Sequence, residues 1–157
     1  MTPTLSGRIQ TRIIMIFGLG VLWTVLIGPL LPRPADMSLG SMYAALFTAL
    51  VVVGVLGVGW ECLYHWLQQY RWEKDWPTLF GLLTAIPEGL VAYAVLDAGL
   101  PWDVRPGPAG LPGDFPVAAF LWMFTTTWLV VWATVNGPLQ VVSLRWRYRG
   151  GRFDSRW

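Results

Sequence analysis

The chain has 157 residues, of which 55% are hydrophobic and only 13% are charged, and its mean hydropathy is +0.51. These proportions exclude an ordinary water-soluble domain of this size and indicate an all-helical integral membrane protein. The single cysteine, Cys62, excludes an internal disulfide, a CxxC redox pair and a metal site built from several cysteines of one chain.

The first membrane span is predicted over residues 13–31. This stretch contains no charged residue and has about the ~20 residues that a helix needs to cross a bilayer core. The polar start with Arg8 and Arg12 resembles that of a signal peptide, but no small-x-small cleavage pattern follows the apolar stretch. We therefore expect an uncleaved first span, which Pro32 and Pro34 terminate.

The second span is predicted over residues 42–67. Small residues recur along it at four-residue steps, at Ala45, Ala49 and Gly57, with Val53 between them. Such a row allows another helix backbone to approach closely. We expect these positions to serve helix packing.

The third span is predicted over residues 77–96. Gly81, Ala85 and Gly89 form a second row of small residues for helix packing. Pro87 lies within the span, and since proline has no amide hydrogen it removes one backbone hydrogen bond. A kink is therefore expected one turn before it.

The remainder of the chain consists of a loop, a last span and a tail. Residues 97–115 are dense in proline and glycine, which predicts a loop of limited flexibility. Residues 116–144 are predicted as the fourth span, and residues 145–157 as a basic tail. No internal repeat is evident, so the prediction is one membrane domain, residues 1–157, built as a four-helix bundle.

The basic residues predict the orientation of the bundle. With four spans, the two termini and the turn at residues 68–76 share one side, which carries nine of the eleven basic residues. These nine are Arg8, Arg12, Arg71, Lys74, Arg145, Arg147, Arg149, Arg152 and Arg156. The other side has Arg33 and Arg105. The positive-inside rule therefore predicts that both termini are cytoplasmic, in a plasma membrane of the bacterial type.

Glu88 is the acid that lies deepest in a predicted span. It is about 11 residues, or ~16 Å, from the start of the third span, which places it near the bilayer centre at the level of Thr126. One interpretation is a protonatable group that couples proton or cation movement. The other is a protonated carboxyl that hydrogen-bonds across the bundle or caps the carbonyl freed by Pro87. The sequence leaves both open.

Glu61 and His65 are separated by one helical turn near the end of the second span, and Asn136 is expected at a similar depth. A carboxylate beside an imidazole is typical of a proton-relay entrance. Interfacial chemistry at a helix end, in which the pair contacts headgroups and water, is the favoured interpretation. With one histidine and one cysteine, a metal or haem site would need ligands from a second subunit, so neither is predicted.

The tail alternates arginines with aromatic residues. Arg145, Arg147, Arg149 and Arg152 directly follow a membrane helix, which favours an anchor to anionic lipid headgroups over nucleic-acid binding. A docking surface for a cytoplasmic partner predicts the same pattern, so the sequence does not separate these two.

The function expected from these features is that of a non-enzymatic structural or accessory subunit, in a homo-oligomer or a larger membrane assembly. The chain has no nucleophile–base set and no metal cluster in its sequence, whereas small-residue rows and a basic tail offer interaction surfaces. The alternative is a proton- or ion-coupled transporter or channel with Glu88 as the coupling group and Glu61 and His65 as its access. A lipid- or quinone-acting membrane enzyme is a third, less favoured hypothesis.

Overall fold

The computed structural model describes residues 4–35, 37–70, 78–99 and 115–153, and every regular element in these ranges is a helix. Four helices are long and apolar enough to cross a membrane, as predicted. They are α1 (Leu5–Leu30), α2 (Leu39–Gln68), α3 (Thr78–Leu83 continued by Ala85–Ala98) and α4 (Val117–Asn136 continued by Pro138–Val142), and a short α5 (Leu144–Tyr148) follows. The described part of the chain is thus all-helical, with four candidate membrane-spanning helices.

Helix α1 begins at Leu5, eight residues before the predicted start of the first span. The hydroxyl of Thr4 caps it by accepting a 3.1 Å hydrogen bond from the amide of Gly7. Arg8 and Arg12 therefore lie within the helix and not in a polar leader. The helix then passes through a π-helical stretch, Met15–Gly20, before it returns to α-geometry.

Helix α2 is the centre of the bundle. Half of its apolar stretch is buried inside the chain, compared with 22–28% in the other three helices. The predicted small-residue row is part of this buried surface, since Ala45 and Ala49 are almost fully buried. The side chains of Ser38 and Ser41 hydrogen-bond at the start of the helix, where Ser38 caps it.

Helix α3 is interrupted at Thr84, one turn before Pro87, so the predicted disturbance of this helix is present. Here the hydroxyl of Thr84 donates a 3.2 Å bond to the carbonyl of Gly81. The same carbonyl accepts a 2.9 Å bond from the indole of Trp128 on α4. The helix ends at Ala98 and is capped by Gly99, whose φ of 91° is accessible to glycine at little cost.

The core is apolar, and so is the outer surface. The largest fully buried apolar side chains are Met42, Leu46, Leu96, Phe120 and Met123. Large apolar side chains also cover the outside of all four helices, including Leu26, Val55, Leu90 and Trp122. Such a continuous apolar exterior is unfavourable in water but is solvated by lipid chains.

The tail is not free, because it folds back onto the start of α1. The indole of Trp146 donates a 2.8 Å bond to the hydroxyl of Thr11, which donates in turn to the carbonyl of Gly151 at 3.0 Å. The backbone amide of Thr4 donates to the carbonyl of Gly150, also at 3.0 Å. Gly150 and Gly151 have φ of 63° and 84°, which lets the chain reverse here.

The predicted basic tail, residues 145–157, is described as far as Phe153, and this part contacts the start of α1. The predicted anchor residues remain largely on the outside, with Arg145, Arg147 and Arg149 exposed and Arg152 half-buried. The contact also brings both ends of the described chain to one end of the bundle, as an even number of spans requires. Which side of the membrane this end faces remains a prediction. Residues 71–77 of the predicted turn and 100–114 of the predicted loop lie outside the described residues.

Candidate functional site

Arg12 on α1 joins three helices through its guanidinium group. Its Nη1 and Nη2 atoms donate to the two carboxylate oxygens of Glu88 on α3, at 2.6 and 3.1 Å. Its Nε atom donates to Oε1 of Glu61 on α2 at 2.9 Å. Such forked pairing with carboxylates is a geometry that arginine, but not lysine, provides.

Arg8 lies one turn before Arg12 and completes the group. Its Nη1 atom is 3.5 Å from Oε2 of Glu61, and its Nη2 atom donates a 2.9 Å bond to the side-chain carbonyl of Gln68. We refer to Arg8, Arg12, Glu61 and Glu88 as the charge cluster. Its two cations and two anions sum to zero, which is the condition under which charges persist in a low-dielectric interior.

The cluster lies nearer to one end of the bundle than to its middle. Arg12 is seven residues after the start of α1, and Glu61 is seven residues before the end of α2. At helical rise each is therefore ~10 Å from that end. Glu88 is ten residues from either end of the shorter α3. The predicted central depth of Glu88 thus holds along its own helix, whereas α1 and α2 place its partners in one half.

Gly57 makes room for Arg12. A Cβ atom at Gly57 would lie 2.6 Å from Cδ and 2.7 Å from Nη1 of Arg12. From the opposite side, the ring of Trp128 on α4 lies 5.6 Å from the guanidinium carbon, in cation–π contact. The missing side chain at Gly57 and the indole of Trp128 therefore hold the guanidinium between α2 and α4.

The two acids differ in exposure. The side chain of Glu88 is 2% exposed, both its oxygens accept bonds from Arg12, and Tyr64 adjoins it. Glu61 is 13% exposed, close to the 11% of Arg12 and the 15% of Arg8. Glu61 is thus the acid that a solute or water molecule reaches more easily.

Two cavities border the charge cluster. The larger, about 810 Å³, lies between α1 and α4 and is bordered at one end by the tail. The smaller, about 160 Å³, is lined by Tyr64, Phe80, Thr84 and Trp128 together with cluster residues. Arg8, Arg12 and Glu61 line both cavities, whereas Glu88 lines neither. The larger volume is within the range of small-molecule binding sites.

Two of the predicted site residues, His65 and Asn136, form no hydrogen bond with Glu61 in the described part of the chain. Within the described part of the chain, Glu61 pairs with arginines and not with His65, whose Nδ1 atom is buried without a hydrogen-bond partner. Asn136 donates a 2.9 Å bond to the carbonyl of Trp132 on its own helix and lines the larger cavity. The expected Glu61–His65 pair is therefore replaced by arginine contacts.

The hydrogen bonds of Thr126 are to residues other than Glu88. Its hydroxyl donates to the carbonyl of Trp122 at 2.7 Å and accepts a 3.0 Å bond from the indole of Trp23 on α1. On α4, the residue that faces the third helix at this level is Phe124, against which Gly89 packs. Thr126 therefore contacts α1 through Trp23, and its match in depth with Glu88 stays a prediction.

The predicted packing residues are used inside the chain. Ala45, Ala49, Gly57 and Gly89 are buried, while Ala85 is half-buried and packs on the core. A Cβ atom at Gly89 would lie 2.8 Å from the ring of Phe124. These rows consequently bring together helices of one chain.

Sequence reasoning missed the cationic half of the site. By sequence alone, Arg8 and Arg12 belong to the polar region before the first span, where they support the orientation. Their four-residue spacing after the capping residue Thr4 is the signal that could have placed them on one face of a helix. A second signal is that Glu61 and Glu88 each need a cation if they are buried.

Known proteins give no guide to this site. No protein family, curated protein or solved structure matches this chain. Within the described ranges, no three His, Cys, Asp or Glu side chains are grouped closely enough to hold a metal ion. The basis for assigning a function is therefore the geometry of the charge cluster and its cavities.

Proposed function

We propose that the chain is a proton-coupled transporter of an anionic solute, in which Glu61 carries the proton. The observation that supports this most directly is that Glu61, the more accessible acid of the cluster, lines both cavities together with its two arginine partners. The bundle is proposed to lie in a plasma membrane of the bacterial type, with both termini cytoplasmic.

The coupling follows from competition for the same cations. An anion in the larger cavity and the ionised Glu61 both require the guanidinium groups of Arg8 and Arg12. Protonation of Glu61 removes its charge and releases the Nε atom of Arg12 and the Nη1 atom of Arg8, which then bind the anion. The bound proton and the bound anion together keep the cluster at zero net charge, which a low-dielectric site requires.

Glu88 has a different role in this proposal from the one expected from sequence. Both of its oxygens accept bonds from Arg12, and it lines neither cavity. We therefore assign it as a positioning residue, which holds Arg12 while Glu61 exchanges its proton. The proton-coupling role passes from Glu88 to Glu61.

The accessory-subunit hypothesis remains a prediction, but with less support. The small-residue rows pack within the chain, and the tail contacts α1. The features that favoured a partner or a homo-oligomer are thus partly accounted for by the fold itself. The hypothesis of a lipid- or quinone-acting enzyme has gained no supporting geometry.

The test is coupled flux in proteoliposomes that contain a pH-sensitive dye. Methanesulfonate and octanesulfonate serve as probes, because they remain charged at all working pH values. An inward gradient of either anion should acidify the lumen of vesicles that contain the protein. Glu61→Gln should exchange labelled anion for unlabelled anion without moving protons, and the exposed neighbour Cys62→Ser should behave like the wild type.

Two outcomes would contradict the proposal. One is proton movement by Glu61→Gln at the wild-type rate, which would remove the coupling role of this acid. The other is the absence of protein-dependent movement of both sulfonates, which would remove anion transport. The two results are distinguishable, since the first concerns protons and the second concerns the labelled anion.

A further inference from the structure

The larger cavity has a predominantly apolar wall. Along it lie Met15, Ile16, Leu50, Val53, Met123 and Phe124, with Trp128, Val131 and Trp132 on α4. From Gly7 to Ile16 the cavity follows ten residues of α1, which is ~13 Å at helical rise. A small inorganic anion would leave most of this wall without contacts.

The charges of the cavity are concentrated at one end. Arg8, Arg12 and Arg147 line it, whereas Glu61 is its only lining acid among the described residues. Because Glu88 pairs with Arg12 from outside the cavity, the lining residues and their ion-pair partners carry a net charge of +1, which comes from Arg147. This end also contains the indole of Trp146 and the tail glycines, close to the start of α1.

One donor at this end is unused. The Nε atom of Arg8 is buried and has no hydrogen-bond partner in the described structure, although both Nη atoms of the same guanidinium are engaged. An unsatisfied buried donor of a charged group is unfavourable by about 1–3 kcal/mol or more. This atom has almost no accessible surface, so it does not face the cavity, and an anion there contacts Arg8 through the exposed part of its side chain.

From these observations we propose that the larger cavity binds a single-chain amphiphile with an anionic head. The head lies at the end formed by Arg8 and Arg147, and the apolar chain extends past Met15 towards Met123. This inference rests on the proposed function and specifies its substrate class, because it requires an apolar body in addition to the negative charge.

The experiment is photolabelling in vesicles of phosphatidylcholine with an alkanesulfonate that carries a diazirine on its chain. Adducts are located by mass spectrometry. We expect them at Met15 or Met123 in the cavity, in excess over the outward-facing Leu26. Octanesulfonate should displace the label from the cavity at least about tenfold more effectively than methanesulfonate, since each buried CH₂ contributes ~0.8 kcal/mol.

The matched variants remove one positive charge each. Arg8→Gln should reduce cavity labelling about tenfold or more, which corresponds to one charge-assisted hydrogen bond. Arg33→Gln, at an exposed position, should leave labelling unchanged. Should Arg8→Gln not fold, Arg147→Gln, at an exposed position of the tail, tests the same end of the cavity.

Three results would overturn the assignment. They are labelling confined to Leu26, equal labelling of Arg8→Gln and Arg33→Gln, and equal competition by methanesulfonate and octanesulfonate. The last result would leave proton-coupled anion transport intact and remove only the amphiphile. Conversely, specific labelling without any coupled flux would refute the transport function and retain the binding site.

Discussion

Replacement of Glu88 by glutamine tests how strongly the charge cluster holds the bundle together. Glutamine keeps the shape and one acceptor but removes the charge that accepts the 2.6 and 3.1 Å bonds from Arg12. Removal of one partner from a buried pair destabilises a protein by about 3–5 kcal/mol. Because Arg12 retains Glu61, we expect a loss at the low end, about 3 kcal/mol.

A double variant measures how much the Arg12–Glu88 pair itself contributes to stability, apart from its other contacts. If Arg12→Gln is combined with Glu88→Gln, neither residue leaves the other as an unpaired charge. The double variant should therefore lose less stability than the sum of the two single variants, by about 0.5–3 kcal/mol. The measurement is reversible unfolding in mixed micelles with a rising fraction of sodium dodecyl sulfate, followed by tryptophan fluorescence.

Asp97→Asn is the matched control, because it neutralises an acid near the end of the same helix at a half-buried position. Its loss should be about 1 kcal/mol or less. If Glu88→Gln costs no more than this control, or if the single losses add in the double variant, the cluster does not stabilise the bundle as inferred.

Three further predictions concern packing, orientation and the tail. Gly57→Ala should lower stability in the same assay by about 1–3 kcal/mol, because its methyl group overlaps the guanidinium of Arg12. The control Gly59→Ala, where an added Cβ has no atom within 4 Å, should be neutral or stabilising by up to ~1 kcal/mol. Similar losses in both variants would refute the close contact. A cysteine at Gly110, in a Cys62→Ser background, should react with an impermeant maleimide added to intact cells, and protection would reverse the predicted orientation. Trp146→Phe removes the 2.8 Å bond to α1 and should destabilise by about 1 kcal/mol while speeding hydrogen exchange in the tail; unchanged exchange would argue against docking.

The four helices and the interruption of α3 were predictable, because both depend on local properties. Length and hydropathy define a span without knowledge of its neighbours. The backbone disturbance before Pro87 follows from the missing amide of that residue alone. Neither prediction needs to know which helices are adjacent.

The start of α1 and the composition of the site were not predictable by the same means. A charge normally ends an apolar stretch, so the first span was placed after Arg12. What keeps Arg12 inside the helix bundle is pairing with Glu61 and Glu88, which are 49 and 76 residues away in sequence. Contacts over such separations are decided by helix arrangement, which one sequence does not specify.

The role of the small-residue rows was predictable only in part. The pattern correctly indicated positions where something approaches the backbone closely. It did not indicate what approaches, and at Gly57 this is the side chain of Arg12, while at Gly89 it is the ring of Phe124. A glycine in such a row indicates that another group packs closely against the backbone there, but it does not identify that group.

The arrangement of the charge cluster also bears on how the protein is made. α1 emerges from the ribosome with two arginines, while their carboxylate partners are encoded later, in α2 and α3. An arginine at the centre of an isolated membrane helix disfavours insertion by about 2.5–3.5 kcal/mol, and the penalty is smaller near a helix end, where Arg8 and Arg12 lie. We therefore expect the side chain of Arg12 to reach the polar interface until the third helix has been made, and to become buried beside Glu88 only then.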